Sequence, residues 1–232
     1  MKIWMFKCVG ILSLIILLSG CGRGEDSEDV NQDTIYTVYE AFYNENDDVT
    51  HIVARFRFGG PIGTLLQLTE TSGASVSFNG EALSYSAIWG GHHTSFAGNV
   101  TSGTFIYTNT EGETFTNTLP SGTSIGFPEG FTSLSKSQAY SLAWEGQPLA
   151  ANDHVGIFVG TWSWGDDALF YTNTDGASSI VLGVNALSNL ITGTATVYMD
   201  RWNEESVAEG TPEGGRILYK YRGMNATVLV TD

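Results

Sequence analysis

The sequence predicts an all-β protein, and three observations carry that expectation. From Thr34 onward the apolar residues recur with a period of two rather than 3.6. Gly, Asn, Ser and Thr punctuate short runs of β-branched and aromatic residues at close intervals. After residue 33 no long stretch has helical periodicity, and Ala186–Ile191 is expected to form a single turn.

Taken in order, strands are expected at Thr34–Phe42 and Thr50–Phe58. In the second, Ile52, Ala54, Phe56 and Phe58 share one face while His51, Arg55 and Arg57 take the other, the mark of a half-buried strand. Ser75–Phe78 and Glu81–Ser86 flank Asn79-Gly80, which supplies the positive φ angles of a two-residue type I′ hairpin. Further strands are expected at Thr104–Thr108, Thr114–Leu119, Tyr140–Trp144, His154–Val159, Ala168–Thr172, Thr194–Met199, Arg216–Tyr221 and Ala226–Val230. Pro120–Gly130 (PSGTSIGFPEG), with two prolines and three glycines, divides the folded region near its middle. Two immunoglobulin-like β-sandwiches, at 34–128 and 129–232, are therefore expected; one larger sandwich is the alternative. A short repeat, Phe105–Gly112 (FIYTNTEG) and Phe170–Gly176 (FYTNTDG), fits either a duplication or convergent turn chemistry.

The N-terminus is of a different kind. Basic Met1–Lys7 precedes an apolar run, Cys8–Leu18, whose eleven residues are too short to span a hydrocarbon core of roughly 30 Å. This pattern reads as a signal peptide over residues 1–20. Leu18-Ser19-Gly20-Cys21 is similar to a bacterial lipobox, which implies a lipid on Cys21 and cleavage just before it. Cys8 departs with the signal peptide, so no disulfide or thiolate metal site is expected. Loss of Lys2 and Lys7 leaves 8 basic against 25 acidic residues, a net charge of −17. That balance repels phosphate backbones, so no nucleic-acid partner is expected, and the membrane link is the acyl group rather than a basic patch. Residues 21–33 (CGRGEDSEDVNQD), with one valine and five acids, are expected to form a disordered tether of roughly 20 Å.

The lipobox, the SVSFNGE hairpin, the Thr116–Phe127 segment and Ser141-Leu142-Ala143-Trp144 together resemble lipoproteins of proteobacteria with tandem immunoglobulin- or fibronectin-type-III-like domains. The resemblance covers most of the mature chain. It implies a fold and an address in the cell envelope, with the outer membrane favoured because Gly22 is not the inner-membrane retention aspartate. It also implies a core position for Trp144.

Several residues invite chemical readings. Gly122-Thr123-Ser124-Ile125-Gly126 fits the nucleophile elbow of α/β-hydrolases, yet Phe127-Pro128-Glu129-Gly130 cannot begin the helix that the elbow needs. His92-His93 follows Trp89-Gly90-Gly91 in what reads as a loop. Neighbours on a strand point apart, so the pair would need a third metal ligand such as His154 or Asp153. Asp166-Asp167 beside Asp153 or Asp175 carries the oxygens for calcium but not the alternating spacing of a calcium loop. Trp162 and Trp164 project to one face if extended; with Asp166 and Asp167 they would stack on and hydrogen-bond a sugar ring. The sequence thus supports a non-enzymatic envelope lipoprotein without a cofactor, a binding or assembly module for a protein or glycan partner. Carbohydrate binding at Trp162/Trp164 is the narrower alternative, and hydrolysis at Ser124 a third.

Overall fold

A computed structural model of the chain describes residues 25–160 and 166–232. The signal peptide, Cys21, Trp162 and Trp164 lie outside the described residues. The backbone is extended where the period of two holds. Strand Val49–Phe58 buries Ile52, Ala54 and Phe56 completely, and pairs antiparallel along its length with Ile35–Asn44. Phe58, at the strand end, is largely out of the core. Asn79 and Gly80 have φ of 51° and 84°, and their turn joins Ser75–Phe78 to Glu81–Ala82 in a hairpin; the second strand stops short of the expected Ser86, because Ser84–Ser86 pairs instead with Gly91–Ala97 in the large sheet.

The large sheet has twelve strands among the described residues. Its spine runs through Thr64–Gln67, Val49–Phe58, Ile35–Asn44, Gly215–Arg222, Gly193–Ser206, Asp153–Val159 and Ala168–Thr172. One junction bears on domain organisation. Ile35–Asn44 pairs in parallel with Gly215–Arg222, in register from Thr37 opposite Gly215 to Asn44 opposite Arg222. Strands from both sides of Pro120–Gly130 are thus hydrogen-bonded to each other, and their apolar residues form one core. The expected boundary between residues 128 and 129 lies in a loop that joins strands of this shared sheet and core. Pro120–Gly130 does not behave as a free linker because it packs. Ile125 is 3 % exposed, Gly126 bridges Glu145, and Gly122 lies on the Tyr219 ring.

Two smaller sheets cover the core face. One contains Thr114–Thr118, Thr104–Thr108, Ser75–Phe78 and Glu81–Ala82; the other pairs Tyr140–Ala143 with Ser179–Leu182. Aromatic rings join the layers: Tyr39 stacks on Phe105 with centroids 4.7 Å apart, and Phe56 tilts onto Tyr107 at 4.4 Å. The two copies of the short repeat are not equivalent. Phe105 lies in the smaller sheet, whereas Phe170 lies on the terminal strand of the large one.

Three local expectations change. The tether is ordered from Glu25 onward: Glu25–Asp26 pairs in parallel with Leu66 and Gln67, and Ser27 and Gln32 are buried. Gln32 Nε2 donates to the carbonyls of Ser27 (2.8 Å) and Val30 (2.9 Å), so this segment is held by hydrogen bonds rather than by apolar burial. His92-His93 lies not in a loop but on strand Gly91–Ala97, which pairs with Val49–Phe58. The single helical turn comes slightly early, at Val184–Leu187. Among the described residues no helix is long and apolar enough to cross a membrane.

Candidate functional site

Alternation along each strand sends every second side chain of the large sheet away from the core. Cross-strand register aligns these outward residues in rows. One row reads His51, Phe42, Lys220, Trp202 and His154 across five strands. The next reads Asn44, Arg222, Asp200, Gly156 and Tyr171. This face is neither a plain solvated surface nor a second core. Val38, Val53, Phe158 and Leu218 are buried on it, among charged and aromatic side chains that cover their neighbours.

A depression of about 420 Å³ lies over the Gly193–Ser206 strand and its neighbours. Phe158, Leu169, Tyr198 and Trp202 give it apolar surface, and Asp167, Asp200, Lys220 and Arg222 give it charge. Gly156 forms part of its floor. A Cβ there would stand 3.3 Å from the Trp202 ring, so glycine lets the indole lie against the strand. The indole is also parallel to the His154 imidazole, 5.1 Å away with 7° between planes, and His154 Nδ1 hydrogen-bonds the Tyr171 hydroxyl. Trp202 and Lys220 also border a second depression of about 300 Å³, lined by Val38, Glu40, Arg55, Glu204, Arg216 and Leu218. The two hollows therefore share a wall.

The charges are organised around Asp200. Arg222 donates from Nε and Nη2 to its two oxygens at 2.7 and 2.9 Å, and Lys220 Nζ lies 2.8 Å away. Burial would raise the Asp200 carboxyl, but the Arg222 bonds and the charges of Lys220 and Arg222 outweigh it, and its pKa stays below the usual carboxylate range. The same cations lie over aromatic faces, Lys220 at 5.1 Å from the Phe42 centroid and Arg222 at 5.1 Å from that of Tyr198. The rim thus offers hydrogen-bond donors and acceptors held in fixed directions beside an indole.

Of the four residues expected to bind sugar, Asp167 lines this depression. Asp166 is half-buried beside it, and Trp162 and Trp164 lie outside the described residues. Asp153 does not serve calcium, because Arg201 holds it in a buried ion pair on the core side. Arg201 Nη2 bonds its Oδ2 and also the Pro148 carbonyl, while Nη1 bonds the Gln147 carbonyl at 2.7 Å. Asp175 is exposed. Trp144 is buried, its Nε1 donating to the Gln147 carbonyl at 3.3 Å. Ser124 is exposed on an irregular stretch followed by a turn rather than by a helix. The described contacts of the four histidines lie elsewhere: His51 with His93, His92 with Leu68, and His154 with Tyr171.

His92 and His93 point to opposite faces, as adjacent strand residues must. His92 is buried and its Nε2 accepts from the Leu68 N–H at 3.1 Å. Desolvation lowers its pKa, with backbone contacts to Leu68 and Ala54 opposing. Among the described residues no group of three or more His, Cys, Asp or Glu is placed to hold a metal.

Sequence reasoning missed Trp202, Tyr198, Gly156, Lys220 and Arg222 as a group. The signal was present: Tyr198, Asp200, Trp202 and Glu204 alternate along a single strand and were obscured by ending that strand at Met199.

No family model matches the sequence, and no curated protein does. Among solved structures, the chain is similar at 13 % identity and TM-score 0.27 to a chain from work on host cell surface retention of a 1.5-MDa bacterial ice-binding adhesin. The alignment covers 87 % of this chain and 66 % of that one. A tetra-tandem repeat in the extending region of a large adhesion protein gives 13 % identity and TM-score 0.26, with 83 % and 49 % covered. The all-β fold rests on the strand pairing above and not on these likenesses.

Proposed function

We propose that the chain is a non-enzymatic lipoprotein of the bacterial envelope, anchored through lipid on Cys21, whose open sheet face binds a carbohydrate. The observation that carries the binding reading is the Trp202 depression: an indole beside a glycine floor, rimmed by carboxylates and cations. Sugar rings present a C–H face that stacks on an indole and hydroxyls that bond to carboxylate, ammonium and guanidinium groups. The leading segment through Cys21 supports the envelope address, and the ordered segment beginning at Glu25 keeps the sheet near the anchor. Binding to an array of neutral, amino and acidic oligosaccharides tests the reading. Wild-type protein should retain one class of glycan, and Trp202→Ala should weaken that binding at least about tenfold, some 1.4 kcal/mol. Wild-type protein that retains no glycan contradicts it.

A second reading, assembly with a protein partner, has its own observation. Ala168–Thr172 is the terminal strand of the sheet's spine, and Leu169 and Tyr171 on it are 71 % and 53 % exposed. Such an edge accepts an added strand from a partner. Leu169→Lys should abolish capture of that partner, and Trp202→Ala, which weakens glycan binding, should leave the capture in place.

A further inference from the structure

At the far side of the same sheet face, two histidines from neighbouring strands meet. His51 lies on Val49–Phe58, opposite Ser95, and His93 on Gly91–Ala97, opposite Val53. The register makes them diagonal neighbours on one face. His51 Nδ1 and His93 Nε2 are 3.1 Å apart. Trp89 fixes both rings: its indole is parallel to His93 with centroids 4.6 Å apart, and tilted on His51 at 4.4 Å.

Two ring nitrogens at this distance share at most one hydrogen between them, so at least one presents a lone pair to the other. A divalent metal that replaces the shared hydrogen would bind both. With metal–nitrogen bonds of roughly 2.0–2.1 Å, nitrogens at this separation subtend an angle of roughly 100° at the metal. That angle lies between square-planar and tetrahedral, and because the metal sits off the line between the nitrogens, each ring turns by roughly 40° from a linear hydrogen bond to aim its lone pair at it. Imidazole suits copper and zinc, and copper(II) binds such donors most tightly among divalent first-row ions. The sequence's formal net charge of −15 also draws cations toward the surface.

We propose that His51 and His93 form a two-nitrogen site for a divalent transition metal, preferentially copper(II), with water in the remaining positions. The site is separate from the Trp202 depression and does not depend on it. The stacked Trp89 is the reporter: a paramagnetic ion held by both imidazoles quenches its emission.

Titration of the untagged full-length protein with copper(II) chloride, followed by tryptophan emission and electron paramagnetic resonance, tests this. One equivalent should bind, with nitrogen hyperfine structure from two imidazoles in the wild-type spectrum. His51→Asn and His93→Asn should each weaken binding at least about tenfold. His154→Asn should leave it unchanged, and Trp89→Phe should keep the binding but lose most of the quenching. A wild-type complex whose spectrum shows no more than one coordinated imidazole overturns the proposal even if a variant fails to fold. So does unchanged affinity in folded His51→Asn and His93→Asn.

Discussion

The Trp202 indole lies so close to Gly156 that a Cβ at position 156 would stand 3.3 Å from the ring. Glycine in a strand interior costs about 0.5–1 kcal/mol relative to alanine, yet this one sits between paired neighbours on both sides. Its role is to admit the indole and leave a hollow beside it.

That relationship gives the first prediction. Gly156→Val should move Trp202 off the strand and occupy part of the hollow. Valine favours strands, so any loss of stability should stay within the roughly 1–3 kcal/mol of an overpacked site. Glycan affinity should fall at least about tenfold, or 1.4 kcal/mol. Paired thermal melts and binding isotherms separate the two effects. Unchanged affinity would show that the ligand does not rest against this indole.

Asp153 and Arg201 provide a second test, on stability alone. Arg201 is 2 % exposed and ties Asp153 to the carbonyls of Gln147 and Pro148. Removing one member of a buried pair leaves the other uncompensated, so Asp153→Asn should cost about 3–5 kcal/mol at pH 7. Burial would raise the Asp153 pKa, but bonds from Arg201, the Ala150 N–H and Asn203 overcome it, and the folded value is lowered. A lowered carboxylate stabilises the fold above its unfolded pKa of about 3.9, and that contribution disappears as pH falls through the folded value. The stability gap between wild type and Asp153→Asn should therefore be full near neutrality and close below about pH 4. Urea unfolding midpoints from pH 7 to pH 2 measure it; a gap that stays constant would show that the carboxylate's charge is not what holds Arg201.

The G-x-S-x-G match is predicted to be structural. A Cβ on Gly122 would lie 1.9 Å from the Tyr219 ring, which is 1 % exposed and backed by the core. Gly122→Ala should destabilise the protein by about 1–3 kcal/mol or more, as overpacking does. Ser124→Ala, at an exposed position, should change stability by less than about 0.5 kcal/mol. Thermal melts of the two variants decide the matter, and equal effects would remove the packing explanation.

Much of the fold was legible because alternation reports a half-buried strand directly. Thr104–Thr108 and Ala168–Thr172 occur with the expected bounds. Gly193–Ser206 runs well past the expected end at Met199, through the polar residues Asp200, Arg201, Asn203, Glu204 and Glu205. The structure carries that strand on because Arg201 finds Asp153 across the sheet, a pairing of residues 48 apart that no local pattern announces. For the same reason the parallel junction of Ile35–Asn44 with Gly215–Arg222 was invisible. Pro120–Gly130 looked like a linker because composition does not reveal that Gly122 faces a ring and Ile125 enters a core. The site failed to emerge because its parts lie on five strands, and only register brings Phe42, Lys220, Trp202 and His154 into one row.

The most direct test of the open sheet face as the binding surface is the indole N–H region of the proton–nitrogen spectrum, followed while a retained oligosaccharide is added. Trp202→Phe identifies its resonance. The Trp202 signal should shift in proportion to occupancy while that of buried Trp144 stays in place. An unmoved Trp202 signal, with saturable shifts at other residues, would contradict it.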